Sequence, residues 1–372
     1  MTPAMPSRKS RTSAKDREIA VRLLDWYDEH HRDLPWRISP AMHKAGVKPD
    51  PYRIWLSEIM LQQTTVEAVK PFFRKFVEKW PDVSALAAAE TEDVMKAWAG
   101  LGYYSRARNL KKCAETVAAR ADGRFPDSEA GLRDLPGIGA YTAAAIAAIA
   151  FDRPAAVVDG NVERVMSRLF EIATPLPGLK AEVGAILPDL VPAERPGDFA
   201  QAMMDLGATI CTPKRPRCML CPVRMDCDAL AHGDPERFPV RAAKAEKPRR
   251  RGAAFVAVRR DGAILLRKRA EKGLLGGMTE VPGTDWTARL DGIADERGAP
   301  FPARWRHTGS ITHVFTHFSL ELEVFLADVD LTTAPDGCFW AKAEEILGEA
   351  LPTVMKKVIE KAIPGSTRHR PN

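Results

Sequence analysis

The chain has 372 residues, 45% hydrophobic and 28% charged, which is material for two domains with cores of their own and the balance of an ordinary soluble protein. Lys and Arg number 55 against 49 Asp and Glu, a net charge of +6 that suits a polyanionic partner without demanding one. No apolar run approaches the roughly 20 residues of a membrane span, and a secretory h-region is absent, so no membrane role is expected.

Residues 1–15 carry Arg8, Lys9, Arg11 and Lys15 among Ser and Thr with no acid, and read as a disordered basic tail. Ile19, Leu23, Leu24 and Tyr27 then keep helical spacing to His30-His31. Leu34-Pro35-Trp36-Arg37 follows, and a Pro/Gly-bearing loop runs on to Pro51. His30, His31 and His43 are read as solvent-exposed loop histidines, not as metal ligands. From Tyr52 to Thr65 the helical pattern is strongest: Ile54, Glu58, Leu61 and Thr65 share one stripe, which puts a carboxylate on a mostly apolar face. Such a Glu is either partly exposed, as helix glutamates usually are, or desolvated, which raises its pKa until it can hold a proton near neutrality. Gln62-Gln63 beside it is an uncharged hydrogen-bonding pair suited to base edges. Helices are predicted over 71–80, 83–86 and 92–97, and then Gly100-Leu101-Gly102-Tyr103-Tyr104-Ser105-Arg106-Ala107-Arg108 sets aromatics and arginines between glycines, a pattern able to wedge a base stack. Cys113 is read as a buried structural thiol.

Leu135-Pro136-Gly137-Ile138-Gly139 is a short turn between two helical patterns, SEAGLRDL before it and the Ala-rich run 141–151 after it. Gly137 and Gly139 let the backbone approach a partner with no Cβ in the way, and the first amides of the second helix point out at its positive end. In a basic protein the anion for such a site is a DNA phosphate. Val157-Val158-Asp159-Gly160-Asn161 is an apolar run ending in an acidic turn, and a new helix follows. L-P-G-I-G followed by V-D-G-N resembles the helix-hairpin-helix DNA glycosylase superfamily, in which the hairpin grips a phosphate and the aspartate does chemistry.

A Pro-rich linker is predicted from Pro175 to Pro196. Beyond Met203-Met204-Asp205-Leu206-Gly207, Cys211, Cys218, Cys221 and Cys227 fall in a C-x6-C-x2-C-x5-C pattern, able to close round one centre. Crowded thiols of this kind point to a reduced compartment and a metal rather than to disulfides. On spacing alone, zinc and an iron–sulfur cluster fit equally. The placement after a helix-hairpin-helix region resembles the [4Fe–4S] loop of the endonuclease III and adenine-glycosylase branch, and that resemblance implies the cluster, with Lys214, Arg215 and Arg217 held against DNA. Residues 238–252 read as a basic interdomain linker. Ala253–Arg259 and Ala263–Arg269 then read as strands joined at Asp261-Gly262, and Phe318, Leu320, Leu322, Val324 and Leu326 alternate as a half-buried strand. A helix is predicted from Leu351 to Ala362. The expected organisation is a mainly α domain over 16–237, including the cysteine loop 211–227, and an α/β domain over 253–365.

Taken together, LPWR, SEIMLQQT, GLGYYSRARNL, LPGIGAYTA, VDGNVERV, MMDLGATIC, the cysteine loop and the C-terminal half resemble adenine DNA glycosylases of the MutY type from about Asp16 to about Ala362. The resemblance implies an enzyme of base excision repair, bacterial, cytoplasmic and nucleoid-associated, acting as a monomer on double-stranded DNA with adenine opposite 8-oxoguanine or G. It makes Glu58 the acid that protonates the flipped adenine, Asp159 the ionised group at the sugar, and Tyr141 and Asn161 their orienting partners. Trp36, Arg37, Leu61 and Asp205 match its adenine pocket, and Gln63 and Tyr103 match the residues that fill and wedge the stack. Where endonuclease III-type enzymes carry a Schiff-base lysine, this chain has Tyr141, so strand cleavage is not expected. The C-terminal domain resembles the family's MutT-like Nudix fold, but after Glu280-Val281-Pro282-Gly283 the run TDWTARLDGIADERG lacks the acidic set that binds Mg²⁺, so no pyrophosphatase is expected. Phe315-Thr316-His317 matches the family's Phe-Ser-His loop, which implies a role in reading 8-oxoguanine. The competing readings are a pyrimidine-lesion glycosylase with lyase activity, a DNA-binding module without catalysis, and a phosphohydrolase. Tyr141, the retained pair Glu58 and Asp159, and the missing acidic run count against them in turn.

Overall fold

The computed structural model describes residues 14–241, 246–270, 273–288, 293–331, 333–346 and 349–366. Nearly all of the basic tail and the middle of the 238–252 linker lie outside them. The chain divides into two compact units, one of residues 1–89 and 109–243 and one of residues 90–108 and 244–372. The helices of the first half are α1 (Ala14–His30), α2 (Pro40–Lys44), α3 (Pro51–Leu61), α4 (Val66–Lys79), α5 (Val83–Ala88), α6 (Thr91–Trp98) and α7 (Ser105–Ala118). They continue with α8 (Glu129–Arg133), α9 (Ala140–Phe151), α10 (Gly160–Leu169), α11 (Gly178–Ile186), α12 (Pro196–Thr209) and α13 (Asp228–Ala231). Of these, α6 and the start of α7 belong to the second unit.

Local chemistry starts these helices where they start. Asp50 accepts from the Tyr52 amide at 2.9 Å with Pro51 at the first helical position, and Asp159 accepts from the Val162 amide at 2.7 Å to open α10. Helix α9 is the hub of the first unit. Residues Thr142 to Ala150 are all buried, and their small side chains let α3, α8 and α12 pack close on different sides. A Cβ on Gly197 at the head of α12 would lie 2.6 Å from the Ala148 carbonyl oxygen, so these two helices meet backbone to backbone.

Two predicted loops contain helices. The Pro175–Pro196 stretch holds α11, and the stretch after Arg37 holds α2, whose first turn is capped by Ser39. Proline reads as a breaker in a sequence, yet Pro40 sits at the start of α2, where its missing N–H costs nothing. His43 on α2 is not solvent-exposed: its side chain is 10% accessible and lies between Asp152 and Asp198. No described helix is long and apolar enough to cross a membrane.

The second unit carries a mixed sheet of β1 (Arg249–Arg259), β2 (Ile264–Lys268), β3 (Thr279–Glu280), β4 (Arg306–Val314), β5 (Ser319–Val329) and β6 (Cys338–Ala341), with α14 (Ala343–Ile346) and α15 (Thr353–Ala362) following. The order is β3-β2-β1-β5-β4, with β6 on β2. Strand β1 begins inside the stretch read as linker, because Arg249, Arg250 and Arg251 pair in parallel with Ser319, Leu320 and Glu321. Strand β5 buries Leu320, Leu322 and Val324 in a core that includes Val354, Met355, Val358 and Ile359 of α15. Its second half is buried on the opposite face too, where Phe325 stacks on Phe255 and Trp305 packs against the same ring. The mainly α and α/β classes read from the sequence are those of the two units.

Candidate active site

A cleft of about 710 Å³ opens in the first unit between α3, the start of α9, α10 and α12. Glu58 reaches it from α3 and is 6% exposed. The Tyr141 hydroxyl, one residue into α9, donates to Glu58 Oε2 at 2.9 Å. Burial pushes the Glu58 carboxyl up to about 7, and the Asp159 charge pushes the same way; the Tyr141 hydrogen bond and Arg37 pull against them. Burial and the two carboxylates hold the Tyr141 phenol well above its ordinary value, so it donates as a neutral hydroxyl.

Asp159 is held in the opposite way. One oxygen caps α10 and the other accepts from Asn161 Nδ2 at 2.9 Å, so a helix N-terminus and two N–H groups stabilise negative charge on it. Asn161 is fixed in turn by Arg164, which donates to Asn161 Oδ1 at 2.9 Å, to the Gly207 carbonyl at 2.6 Å and to the Cys211 carbonyl at 2.7 Å. The cleft thus contains one carboxyl poised to carry a proton and one held by two N–H donors.

Of the other expected residues, Trp36, Arg37, Leu61, Gln62 and Gln63 line this cleft. Gln63 is in the left-handed region at φ 57, a conformation that costs energy for a residue with a side chain and marks a built feature at the cleft edge. Asp205 does not line the cleft. It is fully buried and accepts from Arg37 at 2.8 and 3.0 Å, from Arg32 Nε at 2.7 Å and from the Arg32 amide at 2.9 Å. The helical period of α12 puts Gln201, Met204 and Ala208 on the cleft and turns Asp205 behind it, so this carboxylate positions two arginines and has no free edge for a base. Arg32, Gln201, Glu163 and Lys180 line the cleft and were not singled out from the sequence. The signals were there: Arg32 leads the Leu-Pro-Trp-Arg segment, and Gln201 lies one helical turn before Asp205.

At the hairpin, Gly137 has φ +77 and a Cβ there would lie 2.7 Å from Asn109 Cβ, so only glycine fits. Nothing lies within 4 Å of the Cβ position at Gly139, which leaves the first-turn amides of α9 open to an approaching anion. In the second unit, Tyr103 is 55% exposed at φ 49. The tip between β4 and β5 exposes Thr316 and His317. Phe315 is folded back, stacked on Phe318 at 4.7 Å and edge-on to His313 at 4.7 Å. Between Gly283 and Arg304 the described residues form the short turn Glu296–Gly298 and an isolated antiparallel bridge from Thr287 to Arg251, and Glu280 is taken by Arg267 and Arg269.

Cys211, Cys218, Cys221 and Cys227 are all free thiols. Burial pushes Cys221 up to about 12 and raises Cys218 and Cys227 as well; the Cys211 charge raises all three further. Four thiols that close repel as anions, so they ionise together only around a cationic centre. Arg168, 2% exposed on α10, donates to Cys211 Sγ at 3.3 Å and to the Thr212 carbonyl at 2.8 Å, which suits a thiolate. Among the described residues no three His, Cys, Asp or Glu side chains are grouped round a single ion. Four cysteine thiols in one loop, one of them accepting from a buried arginine, are the kind of donor set that an iron–sulfur cluster takes.

Comparison with known proteins agrees with the two fold classes described above. Residues 56–182 match the HhH-GPD superfamily base excision DNA repair protein family, and residues 253–361 match the NUDIX domain. The chain is 38% identical to adenine DNA glycosylase of Mus musculus over 394 residues, covering 90% of this chain and 76% of that protein. It is 37% identical to adenine DNA glycosylase of Homo sapiens, covering 90% and 72%. Among solved structures, a thermostable thymine-DNA glycosylase superposes with a TM-score of 0.51 at 30% identity, covering 59% of this chain and 97% of that one.

Proposed function

The chain belongs to the adenine DNA glycosylases, and we propose that it is a monofunctional one, removing adenine opposite 8-oxoguanine or G from duplex DNA by base flipping and acid-assisted hydrolysis of the N-glycosidic bond. The observation that carries this reading is the pair of unlike carboxyls in one cleft: Glu58 buried and raised to about 7, Asp159 fixed by two N–H donors.

The first-turn amides of α9 take a DNA phosphate, and the adenine swings out of the stack into the cleft, with Gln63 left at the edge to fill the gap. Glu58 gives its proton to a ring nitrogen, which turns the base into a leaving group. Positive charge then develops at the sugar, where Asp159 stabilises it or bonds to the anomeric carbon. Glu58, now ionised, accepts a proton from the attacking water, while Tyr141 holds its carboxylate in place. No amine stands at position 141, so no Schiff base forms there and the strand is left intact. We assign the four cysteines to a [4Fe–4S] cluster, which would order the loop bearing Lys214, Arg215 and Arg217 for the DNA backbone. Free thiols suit a reducing compartment, and the place of action we infer is the nucleoid of a bacterial cytoplasm, reached as a monomer.

The test is single-turnover excision on one duplex sequence carrying A opposite 8-oxoguanine, A opposite T, or thymine glycol opposite A, read with and without hot alkali. Adenine loss opposite 8-oxoguanine, with breaks only after alkali and no adduct trapped by borohydride, is the expected result. Cleavage at thymine glycol without alkali would instead mean a lyase.

A further inference from the structure

The segment between Arg37 and α3 takes no part in the chemistry above, yet it is tied to three helices. His43 Nδ1 lies 3.0 Å from Asp198 Oδ2 in the first turn of α12, and its Nε2 lies 2.9 Å from Asp152 Oδ2 at the end of α9. Lys44 reaches Asp28 of α1 at 2.6 Å, and Lys48 reaches Asp152 at 3.4 Å. Just before α12, Arg195 donates to Asp198 at 2.7 Å and to Asp28 Oδ2 at 3.2 Å.

A carboxylate can only accept. Neutral imidazole donates from one nitrogen and turns a lone pair outward at the other, so with a carboxylate at each nitrogen only imidazolium satisfies both. The charges facing the ring are Asp152 and Asp198, backed by Lys48 and Arg195, with Asp28 and Lys44 beyond. Burial works against the cation, but the hydrogen bonds it donates to Asp198 and Asp152 outweigh that and hold His43 above its ordinary value.

The two partners lead to the cleft. Asp152 follows Ile149 by three residues, Asp198 precedes Gln201 by three, and both Ile149 and Gln201 line the cleft. Between them, α9 and α12 abut at Gly197. We propose that His43 is a positioning residue for base excision: as imidazolium it staples the end of α9 to the start of α12 and so fixes the spacing of the Ile149 and Gln201 walls. The claim rests on reading the cleft as the base site. A histidine stabilised in this way contributes fully below its unfolded pKa, and the contribution is lost as pH rises through the folded value.

The experiment compares wild type, His43→Gln, His43→Lys and Asp198→Asn in the full chain. Histidine ¹⁵N NMR should show both ring nitrogens of His43 protonated at neutral pH. The thermal midpoint of wild type should exceed that of His43→Gln most in acid and converge with it as pH rises. Single-turnover excision by His43→Gln and Asp198→Asn should fall roughly tenfold with affinity for undamaged duplex unchanged, and His43→Lys, a cation at every working pH, should restore it. A neutral ring at pH 6.5, or wild-type excision by His43→Gln and Asp198→Asn, overturns the proposal. If wild type excises no adenine, the base-site reading fails and the positioning role with it, while NMR and unfolding still judge the staple itself.

Discussion

Glu58 shows how one buried group ties stability to chemistry. With its carboxyl raised from 4.5 to about 7 by burial, the folded protein keeps a proton that the unfolded chain releases as pH passes through 4.5. The folded state is therefore penalised progressively between those values, and above 7 the full penalty, about 3 kcal/mol, is in place. Replacing the acid by an uncharged amide removes both the proton donor and the penalty. Glu58→Gln should lose roughly a thousandfold in single-turnover excision yet melt higher than wild type at pH 8, with the two converging near pH 4. Wild-type excision by this variant would remove Glu58 from the acid role. Tyr141 gives a signed companion test. Its hydroxyl donates to the ionised form of Glu58 and so pulls that pKa down. Tyr141→Phe should move the alkaline limb of the excision profile to higher pH, and a limb that stays put would mean another group governs it. Asp205 is the instructive residue on the other side: its type suits a base pocket, but only the angular position on α12, set by packing, decides that it faces two arginines instead.

Helix α10 joins the parts that chemistry needs. Its N-cap is Asp159, Asn161 orients that carboxylate, and Arg164 and Arg168 run on to the cysteine loop. Its contact with α12 is made at Gly207, where a Cβ would fall 2.6 Å from Asn161 Cβ and 3.1 Å from its backbone. Gly207→Ala should therefore cost about 1–3 kcal/mol and slow excision further than that loss of folded protein explains, because Asn161 itself must move. Gly184→Ala in α11, where nothing lies within 4 Å, is the control and should be neutral or stabilising by up to about 1 kcal/mol. Equal excision by both variants at saturating enzyme would mean that Asn161 does not orient Asp159. Elements were legible where an apolar stripe follows a capped start, as in α3 and α10, and where the apolar run is unbroken or alternates, as in α9 and β5. They were obscured where a local signal points the wrong way. Prolines hid α2 and α11, and three arginines hid the start of β1, whose ladder with β5 exists only in the tertiary structure. The ion contacts of His43 were invisible for the same reason, since Asp152 and Asp198 lie more than a hundred residues away along the chain.

At the scale of the whole molecule, the proposed division of labour separates chemistry from recognition of the opposite base. The first unit holds both carboxyls, the hairpin and the cysteines, so excision opposite plain G needs nothing beyond it and the general DNA contacts. The second unit offers an exposed tip on a rigid root: Phe315 is locked among Phe318, His313 and Trp286, and Lys247 donates to its carbonyl at 2.8 Å. That root leaves the Thr316 hydroxyl and the His317 ring free to hydrogen-bond a purine that carries an extra oxygen and N–H. Thr316→Ala and His317→Ala should each slow excision of A opposite 8-oxoguanine by about tenfold, the worth of one modest hydrogen bond, and leave A opposite G unchanged. Equal losses on both duplexes would reduce the tip to a general DNA contact. The same unit should release no pyrophosphate from nucleoside triphosphates with Mg²⁺, because Glu280 is already neutralised by Arg267 and Arg269 and among the described residues no acidic group gathers to hold the metal. Measured together on the intact chain, mispair selectivity lost at the tip and hydrolysis absent from the sheet would describe a Nudix-like fold kept for reading a base.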